Sequence, residues 1–353
     1  MTGKTFSIEI GASPLTAELT ALAGQANGRV LVRHGETTIL VTAVMSKKSR
    51  EGGDFFPLTV DYEEKFYAAG KILGSRFVKR ESRPSEEAIL TSRLIDRTIR
   101  PRFDLRMRNE VQIVATVLSF DAANDPDIAA IFGASLALSL SDIPWDGPVA
   151  AVRIGRKDGR WIVNPNLQER QNYELDLVVS GTAQKINMIE AGARELSEVL
   201  MTDALEAGHA EIKKLIALQQ KIIAEVAPVK STVKLFELDG PLFLGLKEKF
   251  SPRLEESLWT KEKTARNQKL SLLKEEWMAH AKEEFPDAAP AHAEYLWENE
   301  IDAIVHRRVI DSGERPDGRA ADELRPLEAQ AGILPRVHGS GLFIRGETQA
   351  LST

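Results

Sequence analysis

Twelve lysines and arginines crowd the stretch from Lys65 to Arg108 against only five acids, in a chain whose net charge is −6. The local excess of +7 leaves −13 for everything else. A basic island on an acidic body suits a polyanion, because the remaining surface repels the same ligand. A merely solvated face has the same composition, so the order of the residues has to decide. Lys79, Arg80 and Arg83 fall in a glycine-bounded segment with little apolar periodicity, which reads as a loop. Arg93, Arg97 and Arg100 recur at i, i+4 and i+7, one face of a helix. The loop cations suit phosphate contacts that carry no sequence information. The helical trio has a rival role, because Asp96 can pair with Arg93 or Arg100 as ordinary surface support.

Other chemistry finds little footing. Zero cysteines exclude disulfides, thiol catalysis and thiolate metal sites, and fit a reducing cytoplasm. The six histidines have no metal-ligand spacing, and there is no Walker loop or GxSxG elbow. Gly339-Ser340-Gly341 is more economically a turn than a phosphate cradle. No apolar run is long enough to span a membrane, and the N-terminus lacks a signal core.

These residues need elements to hold them. Arg83-Pro84-Ser85-Glu86-Glu87 opens a helix, with proline expected at its first position and acids at the positive dipole end. Leu90, Leu94, Ile95 and Ile99 form its apolar half, and Pro101 stops it. Upstream, Phe6–Ile10, Val30–Val32 and Thr38–Val44 alternate as strands around a turn at His34-Gly35-Glu36. Val111–Leu118 is another strand. Asp125-Pro126-Asp127 then caps an apolar helix from Ile128 to Leu140. Strands at Val149–Ile154, Trp161–Val163 and Leu175–Val179 precede a helix over Glu195–Val226. This order makes residues 1–230 an α+β domain.

Residues 231–310 read as an all-helical domain, with Trp259, Trp277 and Trp297 at core spacing. Residues 311–353 begin a repeat of the first domain. Gly35–Thr42 and Gly346–Thr353 share five of eight positions at an offset of 311, and the chain stops inside this second copy.

The basic stretch also carries a resemblance. Phe66-Tyr67-Ala68-Ala69-Gly70-Lys71, Lys79-Arg80-Glu81-Ser82-Arg83-Pro84-Ser85-Glu86 and Arg93-Leu94-Ile95-Asp96-Arg97 resemble the first core domain of bacterial polynucleotide phosphorylase, and the likeness runs from about Phe6 to Thr353. It implies a ribonuclease PH-like core, a helical domain and the start of a second such core. It further implies 3′-to-5′ phosphorolysis in mRNA degradation, with nucleoside diphosphates released from single-stranded RNA by inorganic phosphate. A homotrimeric ring in the complete protein, magnesium, and a KH module and oligonucleotide-binding barrel further on are implied as well. Lys79, Arg80 and Arg83 match the family's RNA-entrance loop, with Phe77-Val78 where two phenylalanines are usual.

The family's catalytic residues are not matched here. Asp125-Pro126-Asp127 stands where the active core holds phosphate, and carboxylates there repel it. Arg170, Asp176 and Val178 stand where that core has two aspartates and a lysine. No catalytic or metal residue is therefore expected in this chain, and the magnesium ligands are expected beyond its end. The alternative to an enzyme is a catalytically silent subunit that guides RNA or builds the ring.

Overall fold

The computed structural model describes residues 3–50, 55–72, 74, 83–237 and 240–353. Lys79 and Arg80 lie outside the described residues. The chain divides into two compact units, Met1–Phe236 and Glu237–Thr353.

In the first unit, a six-stranded sheet runs in the order β1 (Thr5–Ile10), β2 (Ser13–Glu18), β3 (Gly28–His34), β4 (Thr37–Ser49), β6 (Asn109–Ser119), β5 (Leu58–Glu63). Its pairs are antiparallel except β5 with β6. A second sheet has the order β10 (Ile186–Ala193), β9 (Leu175–Gly181), β7 (Ala150–Lys157), β8 (Arg160–Val163). Helix α2 (Pro126–Leu140) packs against β3, β4 and β7, so it lies between the two sheets. Buried on nearly every side, it is apolar all round rather than striped. Gly28 permits its close approach, because a Cβ there would overlap the Ala137 carbonyl oxygen. Helix α1 (Glu86–Ile99) packs on β5, and α3 (Glu198–Val226) on β7 and β9.

Local signals fix the ends of these helices. The Asp125 side chain caps α2 by accepting from the Asp127 amide, and Pro126 starts the helix. At the far end, the Lys230 ammonium donates to the carbonyls of Leu138, Ser139 and Ser141, at 2.8, 3.2 and 2.8 Å. That supplies acceptor partners and a positive charge where the helix needs both.

In the second unit, α4 (Gly240–Lys249), α5 (Ser251–Leu258), α6 (Lys263–Glu284) and α7 (Pro290–Ser312) enclose a core including Leu246, Leu254, Trp277 and Trp297. Trp277 satisfies its buried indole N–H on the Ala293 carbonyl at 2.9 Å. Strands β11 (Leu327–Ala331), β12 (Gly341–Arg345) and β13 (Thr348–Ser352) form an antiparallel sheet.

The repeat is structural as well as sequential. His34 pairs with Thr37 across one turn, and Arg345 with Thr348 across the other. Both turns use a glycine at φ +59°, Gly35 and Gly346, in the left-handed region that only glycine enters freely. Each glycine N–H donates to a proline carbonyl, that of Pro14 at 3.3 Å and of Pro326 at 2.8 Å.

Three details depart from the sequence reading. Ser85, not the residue before Pro84, is the N-cap of α1, accepting from the Ala88 amide at 3.0 Å, so Pro84 precedes the helix. Leu90, expected inside, is 62% exposed. The first unit continues past residue 230, because Leu235 bridges to Met107 and the Phe236 amide donates to the Arg106 carbonyl.

Candidate nucleic-acid interface

Helix α1 buries Ala88, Leu94, Ile95, Thr98 and Ile99. The rest of its circumference decides what its arginines can do. Arg93 is exposed and makes no ion pair among the described residues. Arg97, also exposed, reaches the Glu190 carboxylate at 3.3 Å and the Ile189 carbonyl at 3.4 Å on β10. Arg83, just before the helix, is exposed and unpaired among the described residues.

Arg100 turns the other way. It grips Asp96 and donates to the carbonyls of Phe56 and Leu58, at 3.4 and 3.1 Å, beside β5. Most of its N–H groups are taken up by the fold, whereas Arg93 and Arg97 face outward. Spacing along a helix cannot show this, because the carbonyls come from a segment more than forty residues upstream.

Beside α1 lies a cleft of about 1110 Å³. One wall is a 3-10 turn, Phe66–Ala69, and the other is the first half of α1. Its floor brings together the residues that stand in place of a catalytic set. Arg153, from β7, pairs with Asp127 and with Asp176, and lies 3.6 Å from Asp125. Arg170 pairs with Asp125 and lies 3.7 Å from Asp176. Three carboxylates thus share two guanidiniums. Arg153 is only 9% exposed. Burial works against its charge, but Asp127, Asp125 and Asp176 outweigh that and hold it protonated. Burial, reinforced by Asp125 alongside, pushes the Asp127 carboxyl well above the usual carboxylate range. Tyr62, buried in the same cleft, is also pushed up, first by burial and then by Asp127 and Asp125.

The network gives Asp125 and Asp127 more than a capping role and makes Asp176 a structural partner. Arg153 was missed in the sequence. Its signal was a charge inside the strand run from Val149 to Ile154, where both neighbours, Val152 and Ile154, are fully buried. Such a residue must find an anion, but the strand does not say which.

These residues do not fit a magnesium ion. The cation needs oxygen ligands with little positive charge nearby, and here guanidiniums occupy the carboxylates. Among the described residues no group of three His, Cys, Asp or Glu could hold a metal ion. None of the described helices is long and apolar enough to cross a membrane.

Comparison with known proteins places this geometry in context. Residues 12–144 match domain 1 of the 3′ exoribonuclease family, and residues 147–211 match its domain 2. Residues 242–320 match the RNA binding domain of polyribonucleotide nucleotidyltransferase. Periodicity and composition show that segment only as helical. Relatives carrying the name polyribonucleotide nucleotidyltransferase include those of Lysinibacillus sphaericus, 47% identical over 350 residues, and Bacillus licheniformis, 48% over 348. That of Macrococcus caseolyticus is 49% identical over 352 residues. These alignments take in 98–99% of this chain and 49% of each relative, so the chain spans about half the length of the curated relatives it matches.

Proposed function

Because this chain belongs to the polyribonucleotide nucleotidyltransferase family, we propose that it serves phosphate-dependent 3′-to-5′ degradation of RNA, its first core guiding the strand without cleaving it. In this reading inorganic phosphate attacks the terminal linkage of single-stranded RNA and releases nucleoside diphosphates, in the service of mRNA degradation. The working assembly is a homotrimeric ring in the cytoplasm. Magnesium, if bound, would be held by residues other than those of this first core and would stabilise charge on the leaving oxygen.

The observation that carries the division of labour is the contrast between rim and floor. Arg83 and Arg93 stand exposed and unpaired among the described residues, available to phosphates. The three aspartates on the cleft floor beside them are already paired with Arg153 and Arg170, which disfavours an attacking phosphate or a metal there. The silent-subunit reading therefore describes the chemistry of this chain, and the enzyme reading describes the family's reaction. Lys79 and Arg80 join Arg83 as proposed backbone contacts.

Two measurements test this. The purified chain, given single-stranded RNA, phosphate and magnesium, should release no nucleoside diphosphate. Release that survives Asp176→Asn would overturn the silent first core. In a salt series with a labelled oligonucleotide, Lys79→Ala/Arg80→Ala/Arg83→Ala should weaken binding to all single strands alike. The log–log slope should flatten by roughly 0.7 per lost contact. An unchanged affinity and slope would remove the loop from the RNA path.

A further inference from the structure

We propose that the first-core cleft is a nucleotide-binding site, taking a nucleobase inside and leaving its phosphate at the mouth. This deepens the RNA-handling reading, on which only the polymer arm of the test below depends. A cleft of about 1110 Å³ is slightly larger than the roughly 300–1,000 Å³ that small-ligand sites span, so it has room for a nucleotide. Its walls are largely apolar, with Phe66, Ala88, Leu94 and Phe120 among the lining residues. They suit a flat ring.

Charge sets the orientation. The floor holds three carboxylates to two guanidiniums, so an anionic group is disfavoured there. The mouth carries Lys71 and Arg83, both exposed and without an ion pair among the described residues. Of the other lining acids, Glu63 pairs with Lys65 at 3.0 Å and Glu190 with Arg97 at 3.3 Å, whereas Glu64, held by the Ser85 hydroxyl at 2.7 Å, and Glu87 offset the two cations, so the mouth balances where the floor does not. A phosphate therefore belongs outside and a neutral donor inside.

Of the floor acids, Asp176 is the open one, its side chain 36% exposed against 17% for Asp125 and 8% for Asp127. It can accept from the exocyclic amine of adenine, cytosine or guanine. Uracil carries two carbonyls there and offers only its ring N–H. The site should thus prefer amino-bearing bases, whether they arrive on RNA or as free nucleoside diphosphates.

Calorimetric titration of the chain with ADP and UDP reads this directly. ADP should bind saturably and more tightly than UDP. Thr91→Phe, which narrows the cleft from the α1 wall, should weaken ADP roughly tenfold. Asp176→Asn should narrow the preference for ADP over UDP, a readout that does not depend on Thr91→Phe folding well. A labelled oligoadenylate separates the sources. Displacement by ADP means the site holds a nucleotide of the RNA, and simultaneous binding means it holds a free one. Absence of saturable ADP binding overturns the proposal, as does equal affinity for ADP and UDP unmoved by either substitution. Failure of the oligonucleotide to bind at all would instead overturn the RNA-guiding reading and leave the ADP result standing.

Discussion

Arg100 is clamped to Asp96 one helical turn before it, its Nε lying 3.0 and 3.1 Å from the two carboxylate oxygens. The same guanidinium reaches the Phe56 and Leu58 carbonyls, so it ties α1 to the chain entering β5. Two neighbours on the same helix, Arg93 and Arg97, stay outside. One helix therefore carries arginines in opposite settings.

Substitution should separate them. Arg100→Ala strands a carboxylate and two carbonyls, and should lower stability by about 1–3 kcal/mol while leaving the salt dependence of RNA binding unchanged. Arg93→Ala should leave stability within about 0.5 kcal/mol and flatten that salt dependence. Urea midpoints and oligonucleotide titrations on the same proteins check both. Equal losses of RNA affinity from the two would restore Arg100 to the binding face.

Arg153 anchors the closed floor. Arg153→Met should destabilise the first unit by about 3–5 kcal/mol, since it leaves buried carboxylates with a single guanidinium. The pH sign follows from Asp127, whose carboxyl is raised by burial in the folded protein. A raised carboxyl contributes stability below its unfolded pKa, near 3.8, that is lost as pH rises through the folded value. The penalty of Arg153→Met should accordingly shrink in mild acid and grow toward neutrality, and adding Asp127→Asn should recover part of it. Denaturant titrations across pH in a double-mutant cycle measure this. A penalty independent of pH would mean the network is held by packing rather than charge.

His34 is 2% exposed, and among the described residues neither ring nitrogen has a hydrogen-bond partner of good geometry. Burial pulls its pKa below the ordinary 6.5. A lowered histidine favours the neutral ring in the folded state, so its contribution is complete above pH 6.5 and is lost as pH falls from there through the folded value. His34→Leu should remove up to one proton from the acid-side slope, worth at most about 1.4 kcal/mol per pH unit. Chemical melts between pH 5 and 7.5 show the difference. Parallel curves for the two proteins would mean the ring charges without cost.

Much of the fold was legible because its signals are local. Asp125-Pro126 carries its own cap and starting proline, and alternating strands such as Phe6–Ile10 show their faces without a partner. The Gly35 and Gly346 turns announced the repeat because a left-handed residue leaves glycine in the sequence. The concentration of cations between Lys65 and Arg108 is likewise a property of the chain itself.

Tertiary structure alone decided where those charges act. Helical spacing put Leu90 among the core residues, yet among the described residues it is largely exposed and lines the cleft. Arg100 turned toward β5 because the carbonyls of Phe56 and Leu58 arrive from a distant segment. Arg153 found Asp127 and Asp176 across gaps of 26 and 23 residues, on an α2 terminus and a neighbouring strand. The physical reason is that caps and periodicity depend on a few adjacent residues, whereas the partner of a buried charge is whatever the packed chain brings within reach.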